Sequence, residues 1–177
     1  MKALWSERPA SFSGRFWNFS GAFLEPHPLQ SPHPPIWFGA RREPALGRAA
    51  VLGDGWMAAG GTTFSEFREQ STAIRHHLTR LERDESTFAI SRRIYVAVDD
   101  DRERAHRRLR EFYGGRYGNP DLCDVSAAFG TPDDCLETLQ RYADAGANHL
   151  LLNPVFDELE HATLLAHDIV PKLTRPN

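Results

Sequence analysis

The stretch PPIWFGARREPALGRAAVLGDGW, Pro34 to Trp56, carries the residues of this chain best suited to hold an anion. A short apolar run ends in Gly39 and Ala40, Arg41 and Arg42 follow, and a helix-forming segment starts at once. The head of such a helix has backbone N–H groups without intrahelical acceptors and the positive end of the helix dipole. Small residues let a phosphate come close to those groups, and Arg41 or Arg42 would add a charge-assisted fork. The same residues also make a plain strand-to-helix turn with exposed arginines. On sequence alone both readings stand.

Other positions are weaker candidates. Gly60, Gly61 and Thr62 could offer backbone donors or form a flexible loop. Gly53 to Trp56, GDGW, suits a helix stop and a turn into a strand, a structural role. Asn153 ends an apolar run before Pro154, where it would touch substrate or simply cap the strand. His149, at the start of that run, reads as a buried, hydrogen-bonded core histidine. His76 and His77 are adjacent, His27 and His33 lie among prolines, and His161 and His167 are six apart, so no metal set is expected. Cys123 and Cys135 read as reduced thiols. No nucleophile elbow, dinucleotide fingerprint or P-loop is present, and the catalytic residues stay unassigned.

The elements that would carry these residues alternate. Ile36–Ala40, Gly55–Gly60, Phe88–Val98 and Asn148–Val155 read as strands, each short and apolar or β-branched. Between them, Pro44–Gly53, Thr62–Asp84, Asp99–Tyr113 and Thr131–Ala145 read as helices, and Asp157–Arg175 as a closing one. Thr131 is placed as a cap, with Pro132 at the first helical position, and Gly146 as the stop. Gly114–Phe129 reads as an irregular insertion. Upstream, MKALW reads as the tail of a helix and Ser11–Phe23 as an extended segment or hairpin. Glu25–Pro35 has five prolines in eleven residues and must be an extended connector. Four strand–helix units point to an α/β fold with a parallel sheet. Periodicity does not choose between a small doubly wound sheet and half of an eight-unit barrel.

Composition narrows the class. The chain has 177 residues, 41% hydrophobic and 25% charged, with a formal charge of -3. That balance fits one soluble domain of a cytoplasmic protein and argues against a dedicated nucleic-acid binder. The arginine run Arg102–Arg110 reads as a solvated helix face. No apolar run is long enough for a membrane span, and MKALWSERPA lacks the apolar region of a signal peptide.

The order of PPIWFGARREPALGRAAVLGDGW, RRIYVAVDDDRERA and FGTPDDCLETLQRYADAGANHLLL, then a helix ending in VPKL, resembles the C-terminal half of luciferase-like flavin or deazaflavin oxidoreductases. SFSGRFWNF resembles the segment that precedes the fifth barrel strand in that family. The resemblance runs from about Leu4 to Leu173 and implies part of a (β/α)8 TIM barrel. Pro35–Phe38, Gly55–Ala59, Ile90–Val98 and His149–Asn153 would be strands five to eight, with residues 1–35 as a connector. An incomplete barrel of about four βα units is therefore expected, a truncated product or a fragment, possessing little activity alone.

The same resemblance implies FMN or a deazaflavin (coenzyme F420) as cofactor, with Gly39, Ala40, Arg41 and Arg42 at its phosphate, Asn153 near a small-molecule substrate, and monooxygenase or other oxidoreductase chemistry. Two departures bear on this: Ala40 stands where a second glycine is usual, and Arg42 where a serine is usual. An alanine forced to positive φ would distort the turn. The alternative is a non-enzymatic half-barrel that forms a homodimer and serves as an assembly or binding module, covering its open sheet edges.

Overall fold

The computed structural model describes residues 1–174, which leaves Arg175 of the expected closing helix outside the described residues. The chain forms two compact units, Met1–Ile36 and Trp37 onward. In the first, a short helix α1 (Lys2–Ser6) precedes an antiparallel hairpin of β1 (Ala10–Ser13) and β2 (Asn18–Ala22). Phe12 and Phe19 stand opposite each other with ring centroids 6.0 Å apart, and the amide of Gly14 donates to the carbonyl of Trp17 at 3.0 Å to close the turn. Residues 23–35, rich in proline, form no helix or strand.

The second unit is an α/β layer with a parallel sheet. Its elements are β3 (Trp37–Gly39), α2 (Glu43–Leu52), β4 (Gly55–Ala58), α3 (Phe64–Arg80), β5 (Ala89–Val98) and α4 (Arg102–Tyr117). They continue with α5 (Cys123–Ser126), β6 (Ala128–Gly130), α6 (Pro132–Asp144), β7 (His149–Pro154) and α7 (Glu158–Leu164). Strand β3 pairs with β4, β4 with β5, and β5 with both β6 and β7, all in parallel. Arg92 pairs with Ala58 on one side and Leu150 on the other, while Val96 pairs with Ala128 and Pro154. Each residue of β5 has only two edges, so β6 continues the edge that β4 leaves after Ala58. The long β5 thereby organises the sheet.

Alternation along the strands divides the side chains between two faces. Trp56, Ile90, Ile94 and Val96 pack on one face with Leu46, Phe67, Ile74 and Leu139 from α2, α3 and α6. Tyr95 and Ala97 point to the other face and pack against Ala105, Leu109 and Tyr113 of α4. Helix starts follow the expected chemistry: Thr63 and Thr131 each form a reciprocal capping box, with Glu66 and Asp134. Gly146, after α6, has φ +98°, which only glycine adopts without strain.

The insertion is where the sequence reading needs correction. Gly114 and Gly115 do not end α4, which runs on to Tyr117 and stops at Gly118 with φ +67°. Tyr113 and Tyr117 pack on Tyr95, and that burial outweighs the roughly 1 kcal/mol that a helical glycine costs. The segment then forms α5 and a fifth strand, β6, which at three residues is too short to show a period. The closing helix is not regular either. After α7 it widens into a π turn at Leu165–Ile169 and tightens at Val170–Lys172, where Pro171 removes a backbone donor.

Candidate functional site

The carboxyl ends of β3 and β4 lie side by side, because Gly39 pairs with Met57. This brings the turn Ala40–Arg42 next to the loop Ala59–Thr62. In open α/β sheets ligands gather at such strand ends. Ala40 is buried and is not among the residues with positive φ, so the substitution of alanine for glycine brings no backbone strain. Its carbonyl accepts a hydrogen bond from the indole Nε1 of Trp56 at 2.9 Å, and Trp56 is fully buried, stacked on Phe67. GDGW is thus structural, as expected, but through this bond it also fixes the turn.

The turn has room and charge for an anion. A Cβ built on Gly39 would meet nothing within 4 Å. Arg41 and Arg42 are exposed, and neither forms an ion pair among the described residues. Arg42 is the N-cap of α2 without a side-chain cap, so the usual serine hydroxyl is not replaced. The amides of Ala45 and Leu46 both donate to the Arg42 carbonyl, at 2.9 and 3.0 Å, and Pro44 has no N–H. Of the first helical turn, only the amide of Glu43 is left for a ligand. The Glu43 carboxylate is engaged by His77 Nε2 at 2.8 Å. The residues present fit a phosphate held by one helix-head amide, the turn before it and two exposed guanidinium groups.

The neighbouring loop is held from below by a residue that the sequence reading missed. Arg92 on β5 is fully buried. Its guanidinium donates to the carbonyls of Ala59 (2.5 Å), Thr62 (2.6 Å), Ser126 (3.1 Å) and Gly60 (3.4 Å), and to that of Arg93. It lies 5.0 Å from the ring centre of Tyr142. No carboxylate pairs with it among the described residues. Charge burial of this kind is tolerated when donors are used; the carbonyl array takes up Nη1 and Nη2, while the buried Nε has no partner among the described residues. The available signal was Arg92-Arg93 inside an otherwise β-branched and aromatic run. Gly60 is required for a different reason: a Cβ there would stand 2.5 Å from Tyr95 Cε2.

Asn153 lies on the sheet face that carries Arg93, and its Oδ1 accepts from Arg93 Nε at 2.8 Å. It is half-buried and tied by that bond, with a second lone pair and an amide still available. His149 is hydrogen-bonded to Ser91, 2.8 Å, and meets Trp37 edge to face, but it is exposed rather than buried in the core. Its strand face is open at that end, because α4 covers only the Tyr95–Ala97 end.

The arginine run on α4 is a solvated face, as expected. Arg104 pairs with Asp99, Arg108 with Asp157 and Arg110 with Asp121. Hydrogen bonds from these arginines hold the Asp99 and Asp157 carboxyls below the usual range. His106, Cys123 and Asp124 bring one ligand atom each within 4.8 Å of one another. The His106–Asp124 contact of 2.5 Å is a hydrogen-bonded pair, whereas two donors on one zinc ion stand about 3.3 Å apart. Burial, helped by Asp124, pushes the Cys123 thiol up to about 12, and burial likewise pushes Cys135 to about 12. Both are protonated thiols in the folded chain.

Among known proteins, a family model described as luciferase-like monooxygenase matches residues 1–121. The chain is 23% identical to the F420-dependent glucose-6-phosphate dehydrogenase 2 of Rhodococcus jostii (strain RHA1), covering 98% of this chain and 58% of that protein. It is 29% identical to the FMNH(2)-dependent dimethylsulfone monooxygenase of Pseudomonas putida, covering 87% and 44%. The chain therefore spans about half the length of the curated relatives it matches. An F420-dependent secondary alcohol dehydrogenase in complex with an F420-acetone adduct superposes with a TM-score of 0.80 at 19% identity, over 98% of this chain and 58% of that one. The coenzyme F420 dependent tetrahydromethanopterin reductase from Methanopyrus kandleri gives 0.80 at 13%, over 98% and 60%. These likenesses establish the fold, and the match across more than half of the sequence establishes the lineage: the chain belongs to the luciferase-like monooxygenase family.

Proposed function

We propose that this chain forms the strand-five-to-eight half of a luciferase-like (β/α)8 barrel and holds the phosphate of a reduced flavin or deazaflavin. The observation that carries the reading is the turn after β3, where an open glycine position, a helix head and two exposed arginines meet. The matched relatives named above, which depend on F420 or on FMNH2, support the choice of cofactor class. When bound, such a cofactor supplies the hydride or the electrons for oxygen chemistry. The chain's own residues act on binding and orientation. The backbone N–H groups of Gly39 and Glu43 would donate to the phosphate oxygens, Arg41 and Arg42 would neutralise them, and Trp56 would hold the Ala40 carbonyl out of the way. Asn153, kept in place by Arg93, would present its free amide to the substrate at the end of β7.

The dimeric, non-enzymatic alternative draws on open sheet edges, such as that of β3, and on exposed apolar side chains such as Trp37 and Leu151, whereas relatives named for redox reactions favour the enzyme. Equilibrium titration with FMN and with coenzyme F420, followed by fluorescence, tests the proposal. One of the two is expected to bind, at least tenfold more weakly to Gly39→Val. Equal affinity for the variant, or no binding of either cofactor, would overturn it.

A further inference from the structure

A cavity of about 510 Å³ opens between the head of α3, α5 and α6, away from the turn at Gly39. Its walls have two chemistries. Phe64, Tyr142 and Phe129 give it aromatic surfaces, Phe64 and Tyr142 meeting edge to face at 5.2 Å. Arg141 and Arg102 give it positive charge, held 4.5 Å above Phe64 and 4.8 Å above Phe129 respectively. Arg68 lies 6.0 Å from the centre of the same Phe64 ring.

The charge balance around the cavity favours an anion. Arg102 is already paired with Asp134 at 3.1 Å, and Asp124, the acidic residue in the wall, is paired with His106. Glu66 on α3 is used by the capping box with Thr63. Arg141 and Arg68 form no ion pair among the described residues, even though Glu137 and Asp144 lie one helical turn from Arg141. An arginine stacked on a ring keeps its N–H edge free for an anion while its face is covered. The volume lies within the range of small-ligand sites, which are mostly apolar with a few placed polar groups.

We propose that this cavity binds a planar aromatic anion, the ring lying among Phe64, Phe129 and Tyr142 and the anionic group meeting Arg141. The proposal does not rest on the cofactor reading, because none of the walls belongs to the turn at Gly39.

1-Naphthyl phosphate is a suitable probe, with 1-naphthoate to distinguish a phosphate from a carboxylate head. 1-Naphthol and inorganic phosphate supply the ring and the charge separately. Calorimetric titration of the intact chain is expected to show saturable binding of at least one aromatic anion, tenfold or more tighter than 1-naphthol or phosphate. Arg141→Gln, at an exposed position, should weaken that anion at least fivefold without changing the circular dichroism spectrum. Val125→Trp, also exposed, should block the cavity and abolish binding. Gly39→Val should leave it unchanged. Unaltered affinity in Arg141→Gln and Val125→Trp would overturn the proposal, as would equal binding of 1-naphthol or loss of binding in Gly39→Val alone.

Discussion

Arg92 Nη2 donates to the Thr62 carbonyl at 2.6 Å, tying the middle strand of the sheet to the loop that leads into α3. With the bonds to Ala59 and Gly60, one buried cation sets the path of a loop that contains two glycines, and a further bond ties it to Ser126 at the end of α5. Replacing Arg92 by Met would leave at least three buried carbonyls without donors. A loss of about 2–4 kcal/mol is expected by urea denaturation, because unsatisfied buried groups cost the full desolvation penalty. A loss below about 1 kcal/mol would show that water satisfies these carbonyls.

Trp56→Phe removes the donor to Ala40 while keeping an aromatic ring against Phe67. The expected cost is about 1–2 kcal/mol in thermal or chemical unfolding. If Trp56 fixes the turn, cofactor affinity should fall by a larger factor than in a variant equally destabilised elsewhere.

Two glycines at neighbouring strand ends should respond oppositely to alanine. Gly60→Ala forces a Cβ against Tyr95 and Tyr117, for a destabilisation of roughly 1–3 kcal/mol. Gly39→Ala meets open space at an ordinary backbone conformation, and its stability should stay within about 1 kcal/mol of the parent. Melting curves of the two variants, measured side by side, decide this.

Acid should weaken the fold through Asp99, Asp134 and Asp157. Their carboxyls are held below the usual value of 3.8, Asp99 and Asp157 chiefly by hydrogen bonds from Arg104 and Arg108, and Asp134 by Thr131. Below neutral pH the unfolded chain then takes up protons before the folded one, so stability rises with pH in that window. The contribution is complete above about pH 5 and is lost as pH falls through the lowered native values. Salt should shrink the effect, since Arg104 and Arg108 are partly exposed. A melting temperature unchanged between pH 5 and pH 3 would contradict it.

Neither thiol should react with a disulfide reagent at pH 8 in the folded chain. Cys123 and Cys135 are fully buried and raised to about 12, so the thiolate is scarce and inaccessible. Two equivalents should react after addition of denaturant.

The α/β pattern was legible because each signal is local. Thr131-Pro132 with its acids marks a helix start, and the β-branched run before Asp99 marks a strand, whatever surrounds them. The strand carrying Trp37 to Gly39 and the turn after it were placed correctly for the same reason. What failed depended on distant partners. Gly114 and Gly115 look like a helix stop until Tyr113 and Tyr117 find Tyr95 on the sheet face that α4 covers. β6 exists only because β5 outlasts β4 and leaves an edge to pair with. His149 is exposed because α4 stops short of its end of the face.

The sequence by itself determined the alternation of strands and helices, the caps, and the family, since these rest on residue order and spacing. Tertiary structure alone decided that Arg92 would be a buried clamp for the loop beside the cofactor turn, and that Phe64, Phe129 and Arg141 would share a cavity. Arg92 is 30 to 34 residues from the loop and Ser126 carbonyls in the first case, and the groups are spread over α3, β6 and α6 in the second. Burial of a charge, or the sharing of a wall, is a property of the packed chain, and no local propensity encodes it.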